Sequence, residues 1–339
     1  MVAQLHTPSV WAWDPRQSSN YKSTTGTQPE GIVVAPVSDW TVPYVVASLE
    51  NDRVYVYPAT ADGITGDGVH AMGWTGDTSN ALPDIACNEA GTCLVIWASH
   101  STTQNEDYFR WRRVLPTLEV TGTVQTVTAP TGEQTYSGAV ASDGEGFLVT
   151  WLEGDAISRT LKGNHVNAAG IPSSPTLALD NGTLGSVDVT WTFDRYQVVW
   201  ERDGDIYAAE VSGSDVTTYT VASKAAIESQ PHIAYDPLSR RSLVIYSYKD
   251  TKQHLYCRIL ENGKAREPVR ISGFGDNLDP VQISVSADPS NGGWVVAWKE
   301  SGWYYIYQVG IGMNGERRGR SGGAFLNYNR QPTLIDLAC

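Results

Sequence analysis

The chain has 339 residues and a formal net charge of −13, with 18% charged residues, 12 Trp, 17 Tyr and 32 Gly. The acidity argues against a general nucleic-acid binder, which needs a basic surface to displace phosphate counterions, and many aromatics with few charges argue against disorder. No stretch approaches the ~20 apolar residues of a membrane helix, so no membrane insertion is expected, and the opening MVAQLHTPSVWAWD lacks the basic start and apolar core of a secretory leader.

In chain order, hairpin follows hairpin. After an N-terminal segment containing VAQLHT, SVWAWD and NYKSTTGT, the run from Gln28 (QPEGIVVAPVSDWTVPYVVASLEN) sets a plan. A short strand leads to a turn rich in Asp, Gly, Asn or Pro, then to a second apolar strand. The plan recurs, usually with an aromatic closing the second strand, in LPDIACNEAGTCLVIWAS, YSGAVASDGEGFLVTWLE, SVDVTWTFDRYQVVWERD, QPHIAYDPLSRRSLVIYSY and DPVQISVSADPSNGGWVVAWKE. Two further strands follow in each unit, around hinges that carry Gly163, Gly213, Gly263 or Gly315. From Pro29 the units begin at Pro83, Tyr136, Ser186, Pro231, Pro280 and Pro332, in steps of 54, 53, 50, 45, 49 and 52 residues, near the ~40–50 residue period of propeller repeats.

Four antiparallel strands at this period make a propeller blade. The expected fold is therefore all-β, one β-propeller domain over residues 1–339. The terminal QPTLIDLAC is a first strand without a second, and the N-terminal segment offers the missing strands. Joined, they would close the ring and remove free sheet edges, giving seven blades; without them the count is six.

On these repeats the chain resembles the β-propeller superfamily, especially the secreted bacterial and phage-associated repeat arrays. The resemblance is one of pattern and covers nearly the whole chain. The Asp-box of sialidase-like propellers is approached only from Ser286 through Asp288 to Trp294, one residue too long, and no WD40 Gly-His and Trp-Asp pair recurs. The resemblance implies a rigid recognition module for a glycan or cell-surface receptor, lectin-like or a phage tail component, outside the cell or on a virion. The alternatives are a polysaccharide lyase or glycoside hydrolase working over the channel, and an assembly part that docks other subunits.

Cys87 and Cys93 flank the turn NEAGT. Partners across such a hairpin hold their Cβ atoms about 4.5–5.5 Å apart, within reach of a disulfide after small adjustment. Further ligands at zinc spacing are missing and the pair is not C-x-x-C. A disulfide is expected, with two unpaired thiols or a metal site as alternatives, and it points away from the reducing cytosol. Cys257 reads as a small buried apolar residue.

Trp97, Trp151, Trp200, Tyr246 and Trp298 take the same place in successive units. Repetition in every blade is what packing between sheets demands, so they are expected to fill the wedges and not to form a ring of sugar platforms. Aromatics that break the repeat, Tyr108, Trp111, Trp303 and Tyr304, are the candidate ligand contacts, together with the rim acids Glu153 and Asp155.

Topology puts the loops between second and third strands on the same rim as the blade-to-blade connections, and this rim is acidic. Glu201, Asp203 and Asp205 are its best candidate for a hard cation such as Ca²⁺, although the order is not that of an EF-hand; no cofactor is otherwise required. The opposite rim collects Arg240, Arg241, Lys264, Arg266, Arg317, Arg318 and Arg320. A two-faced molecule is expected, its arginine rim suited to an acidic partner or other subunits. If the chain is an enzyme, the candidate catalytic residues are His100, Tyr108 and Arg110, in the segment 100–111 read as the largest insertion in the repeat. A nucleophile elbow, a Walker loop and a dinucleotide fingerprint are all missing.

Overall fold

The computed structural model describes residues 31–37, 43–60, 63–71, 77–79, 83–101, 105–115, 117, 119–224, 226–272, 280–300 and 305–325. Within them the strands form six antiparallel sheets, the blades of a β-propeller. Blade one pairs Gly31–Pro36, Tyr44–Glu50 and Arg53–Thr60, with the short pieces Gly63–Ile64 and Val69–His70 along the last. Blade two orders Val120–Thr128, Glu106–Val114 and Cys93–Ser101, and both Asp77–Ser79 and Asp84–Cys87 complete its inner edge. Blade three runs Gln134–Ser142, Phe147–Gly154, Arg159–Val166, Leu177–Gly182; blade four runs Leu184–Trp191, Tyr196–Arg202, Asp205–Ser212, Asp215–Ala222. Blade five has Ile227–Asp236, Arg241–Lys249, Gln253–Glu261 and the pieces Lys264–Ala265 and Val269–Arg270. Blade six has Pro280–Ala287, Trp294–Glu300, Tyr305–Ile311 and Arg317–Phe325.

Six is the smaller of the two expected counts. The segments on which a seventh blade depended, 1–30 and 326–339, lie outside the described residues. Tight turns set the hairpins. Asp203 and Gly204 have φ of 54° and 82° between the paired residues Arg202 and Asp205, and Asn262 and Gly263 have 52° and 69° between Glu261 and Lys264. Two residues at positive φ make the turn whose twist matches that of the flanking strands.

Five apolar cores each lie between two consecutive blades. Trp97 packs in the core of blades one and two, Trp151 in that of two and three, Trp200 in that of three and four. Tyr246 serves blades four and five, and Trp298 blades five and six. All five rings are at most 2% exposed, so the packing role expected of them holds. Inner strands are also tied by carboxylates. Asp84 Oδ2 accepts the Val140 N–H at 2.8 Å, Asp188 Oδ2 accepts Ile233 N–H at 2.9 Å, and Asp236 Oδ2 accepts Gly293 N–H at 2.9 Å.

Cys87 and Cys93 face each other across their hairpin and are joined as a disulfide. Cys257 is a buried free thiol, pushed up to about 12 by that burial. The segment 100–111 is not an insertion: Ser101 pairs with Glu106, and the chain on either side is regular strand. Within it Tyr108, Phe109, Arg110 and Trp111 are all buried, as in a strand covered on both faces.

Candidate functional site

The upper rim is built from the ends of second strands and the starts of third strands. Which wedge a rim side chain enters follows from strand parity, because successive residues point to opposite faces and direct cross-strand partners share one. Trp200 pairs with Tyr207 and shares its face with Arg202, two residues on; this set faces blade three. Arg202 Nη1 donates to Asp180 Oδ1 and Oδ2 at 3.0 and 2.9 Å, and Trp200 Nε1 donates to Asp180 Oδ2 at 2.7 Å. The Arg202 guanidinium lies 3.8 Å from the Tyr207 ring centroid. Arg202 is 30% exposed and Asp180 13%, so the assembly reaches solvent.

A second set adjoins it. Arg159 lies 3.9 Å over the Tyr136 ring and donates through Nη1 to the Leu184 carbonyl at 2.7 Å, bridging blades three and four. Glu153 is buried, accepts the Trp151 indole N–H at 3.4 Å and pairs with Lys162. In blade one the equivalent Glu50 is buried and accepts Tyr57 Oη–H at 2.6 Å and Ser48 Oγ–H at 2.9 Å.

Between blades four and five the rim is built differently. Glu201 faces blade five, where Gln230 N–H lies 3.4 Å from Oε2. Gly185 leaves room for that carboxyl: a Cβ there would meet Glu201 Oε2 at 2.6 Å. Burial holds the Glu201 carboxyl above the ordinary range. From the other side Glu228, cross-strand partner of Tyr248, enters the same wedge fully buried. Neither of its carboxyl oxygens has a hydrogen-bond partner. Burial, reinforced by the negative charge of Asp205, pushes Glu228 up to about 7. In sequence Glu228 looks like any other acid at a blade-to-blade connection, and strand parity is the signal that places it inward.

The other predicted residues separate. Tyr108 is 5% exposed, donates to Glu106 Oε2 at 2.7 Å, and lies under Arg110 at 4.4 Å; burial and Glu106 push its phenol up to about 12. Trp111, 1% exposed, is locked by an Nε1–H bond to the Gly170 carbonyl at 3.0 Å. Both were expected as ligand contacts, and both are packed in wedges instead. His100 pairs across the hairpin with Asp107, its Nδ1 3.4 Å from Oδ1, while Tyr108 pairs with Ser99. His100 is thus on the opposite face of the blade from Tyr108 and Arg110, and the three expected catalytic residues do not converge. Asp155 is exposed and caps its own turn, accepting N–H bonds from Ile157 and Ser158 at 2.7 and 2.6 Å, which hold it below the ordinary carboxylate range. Trp303 and Tyr304 lie outside the described residues.

The expected cation set is not assembled. Glu201 turns into the wedge, Asp203 stays exposed in the turn, and Asp205 accepts the Ser223 hydroxyl at 3.0 Å. Among the described residues, no three His, Cys, Asp or Glu side chains come together as a metal-holding group. On the opposite rim, Arg241 and Arg266 share Glu261, and Arg318 donates to the Gly292 carbonyl at 2.7 Å. Much of the expected arginine surface is therefore satisfied within the chain.

No family model and no curated protein sequence matches the chain. Solved structures of similar shape are propellers. The fucose-specific lectin of Aleuria aurantia has a TM-score of 0.52 at 10% identity, over 86% of this chain and 95% of its own. A putative 6-phosphogluconolactonase of Bacteroides uniformis has a TM-score of 0.55 at 13% identity, over 88% of this chain and 86% of its own. One from Bacteroides fragilis scores 0.55 at 10% identity, over 90% and 86%. At these identities the likeness is one of fold, and the chain shares the β-propeller architecture with lectins and enzymes alike.

Proposed function

We propose that the protein is a glycan-recognition module that binds at the upper rim of blades three and four. The observation that carries this reading is the Arg202 clamp. Its guanidinium is fixed by Asp180 and laid on Tyr207 while 30% of the side chain stays open to solvent. A held cation offers donors to sugar hydroxyls, a carboxylate beside it offers acceptors, and neighbouring rings offer apolar faces. Arg159 on Tyr136 repeats the arrangement one blade earlier, so two neighbouring subsites are available to one oligosaccharide. The fucose-binding lectin among the structural neighbours supports the scaffold's suitability, and the Cys87–Cys93 disulfide supports a site of action outside the reducing cytosol, on a secreted or particle-borne protein.

A glycan array followed by titration of the best ligand tests the reading. Binding should fall at least about tenfold in Arg202→Ala, by loss of charged hydrogen bonds, with the circular dichroism spectrum unchanged. An array without a hit, or sugar release from a polysaccharide that survives Arg202→Ala, would overturn it.

A further inference from the structure

Five of the described rim carboxylates enter wedges or abut the aromatics that fill them; three are fully engaged, and Glu201 receives the Gln230 N–H at 3.4 Å. Glu50 receives Tyr57 and Ser48, Glu153 receives Trp151 and Lys162, and Asp180 receives Trp200 and Arg202. Glu228 receives no hydrogen bond at either oxygen although it is fully buried. A buried carboxylate without donors pays a large desolvation cost, and the ordinary escape is to keep its proton.

The groups around it leave that escape in place. Blade four presents Asp205, a like charge, and Glu201, whose own carboxyl burial holds above the ordinary range and which receives the Gln230 N–H. Within blade five, Tyr246 and Tyr248 of the second strand and Arg258 of the third face Glu228, and Lys224 approaches from the connection, its charge and its backbone N–H favouring the ionised form less than burial and Asp205 oppose it. Arg258 is committed elsewhere, donating to the Arg266 carbonyl at 3.1 Å and the Tyr246 hydroxyl at 3.4 Å, and Lys224 is exposed. The backbone adds a direct link: Glu228 N–H donates to the Gly204 carbonyl at 2.7 Å. Gly204 sits in the tight 202–205 turn, two residues after Arg202 and one before Asp205.

We propose that a proton on Glu228 seats the 202–205 turn, and that ionisation of Glu228 displaces the turn and with it Arg202, making ligand binding at this rim pH-dependent. The second half rests on the binding reading above; the first does not. With the proton in place Glu228 adds no charge opposite Asp205, and the Gly204 bond holds. Without it, a second negative charge faces Asp205 from inside the wedge, and the turn bearing Asp205, which lies at the surface, is the element that moves away. The proton goes to solvent on ionisation and returns from it, and no other reactant is needed.

The test compares wild type with Glu228→Gln between pH 5.5 and 8.5. Hydrogen exchange in the peptide spanning 201–208, corrected for the intrinsic pH dependence of exchange, should rise at pH 8.5 in wild type and stay flat in the variant. The infrared spectrum should show a protonated carboxylic-acid component at pH 5.5 that bleaches through neutrality, and the variant should lack that component, leaving only what Glu201 contributes. Affinity for the array-selected glycan should fall about fivefold or more over the same range in wild type only. If no glycan binds at any pH, the binding reading fails and the exchange arm still decides the movement. A Glu228 already ionised at pH 5.5, or exchange that is flat in wild type, overturns the proposal; a glycan affinity that stays constant while the turn moves overturns the link to binding. Should Glu228→Gln fail to fold, Asp205→Asn replaces it, expected to shift the exchange transition to lower pH because the like charge that raises the Glu228 proton affinity is gone.

Discussion

The wedge between blades three and four and the wedge between blades four and five are built from the same parts: an aromatic from a second strand, an aromatic from the third strand beside it, and an acid at the rim. Trp200 stacks on Tyr207 at 6.3 Å in one, and Tyr246 on Tyr256 at 6.3 Å in the other. They differ in what the acid meets. Asp180 gains an indole N–H and a guanidinium; Glu228 gains neither. Tryptophan supplies a ring N–H that points at the rim, whereas Tyr246 uses its hydroxyl to meet Arg258. The acids also come from different strands: Asp180 from the last strand of the preceding blade, Glu228 from the first strand of the blade that carries Tyr246.

Substitutions can break or sharpen that contrast. The largest effect is expected from Trp200→Ala, which empties the core of its wedge and removes a donor to Asp180; loss of about 3–5 kcal/mol should appear in chemical denaturation. Next comes Glu228→Gln, with a sign that depends on pH. The folded-state proton affinity is raised, so the native protein binds more protons than the unfolded chain between the ordinary carboxylate range and about pH 7. Wild-type stability should therefore fall as pH rises through that window, by up to about 3 kcal/mol. Glu228→Gln should match wild type near pH 4.5 and exceed it at pH 8 in thermal melts. Asp180→Asn should cost about 1–2 kcal/mol at neutral pH in chemical denaturation, since Arg202 keeps Tyr207 and solvent while losing its charged acceptor. The smallest effect belongs to Asp205→Asn, expected to narrow the pH dependence of wild type by less than Glu228→Gln does, because burial and not Asp205 is the main cause of the raised Glu228 proton affinity.

The repeat was legible in the sequence because it rests on local features: apolar runs of strand length, Asp-Gly and Asn-Gly turns, and an aromatic at a fixed place. The clasp between Cys87 and Cys93 followed from hairpin geometry alone, and so did the packing role of Trp97 and its counterparts. The site was less legible. His100, Tyr108 and Arg110 are neighbours in sequence, yet parity sends His100 toward blade three and the other two toward blade one. Glu228 shows the same limit from the other side. A register shift between Ser229 and His232 follows it, with Gln230 at φ 54°, and such shifts change which wedge a residue enters. Acids in turns look alike in sequence, and only register separates the capping Asp155 from the buried Glu228.

Among the described residues, five apolar cores are each shared by two consecutive blades. On the ribosome a newly made blade therefore carries an unsealed face until its successor emerges, some fifty residues later by the repeat steps. Synthesis at ~5–20 residues per second leaves that face open for several seconds at a time. Chaperone demand during translation should track the blade in progress, and truncation at a blade boundary should yield aggregates and not a smaller propeller.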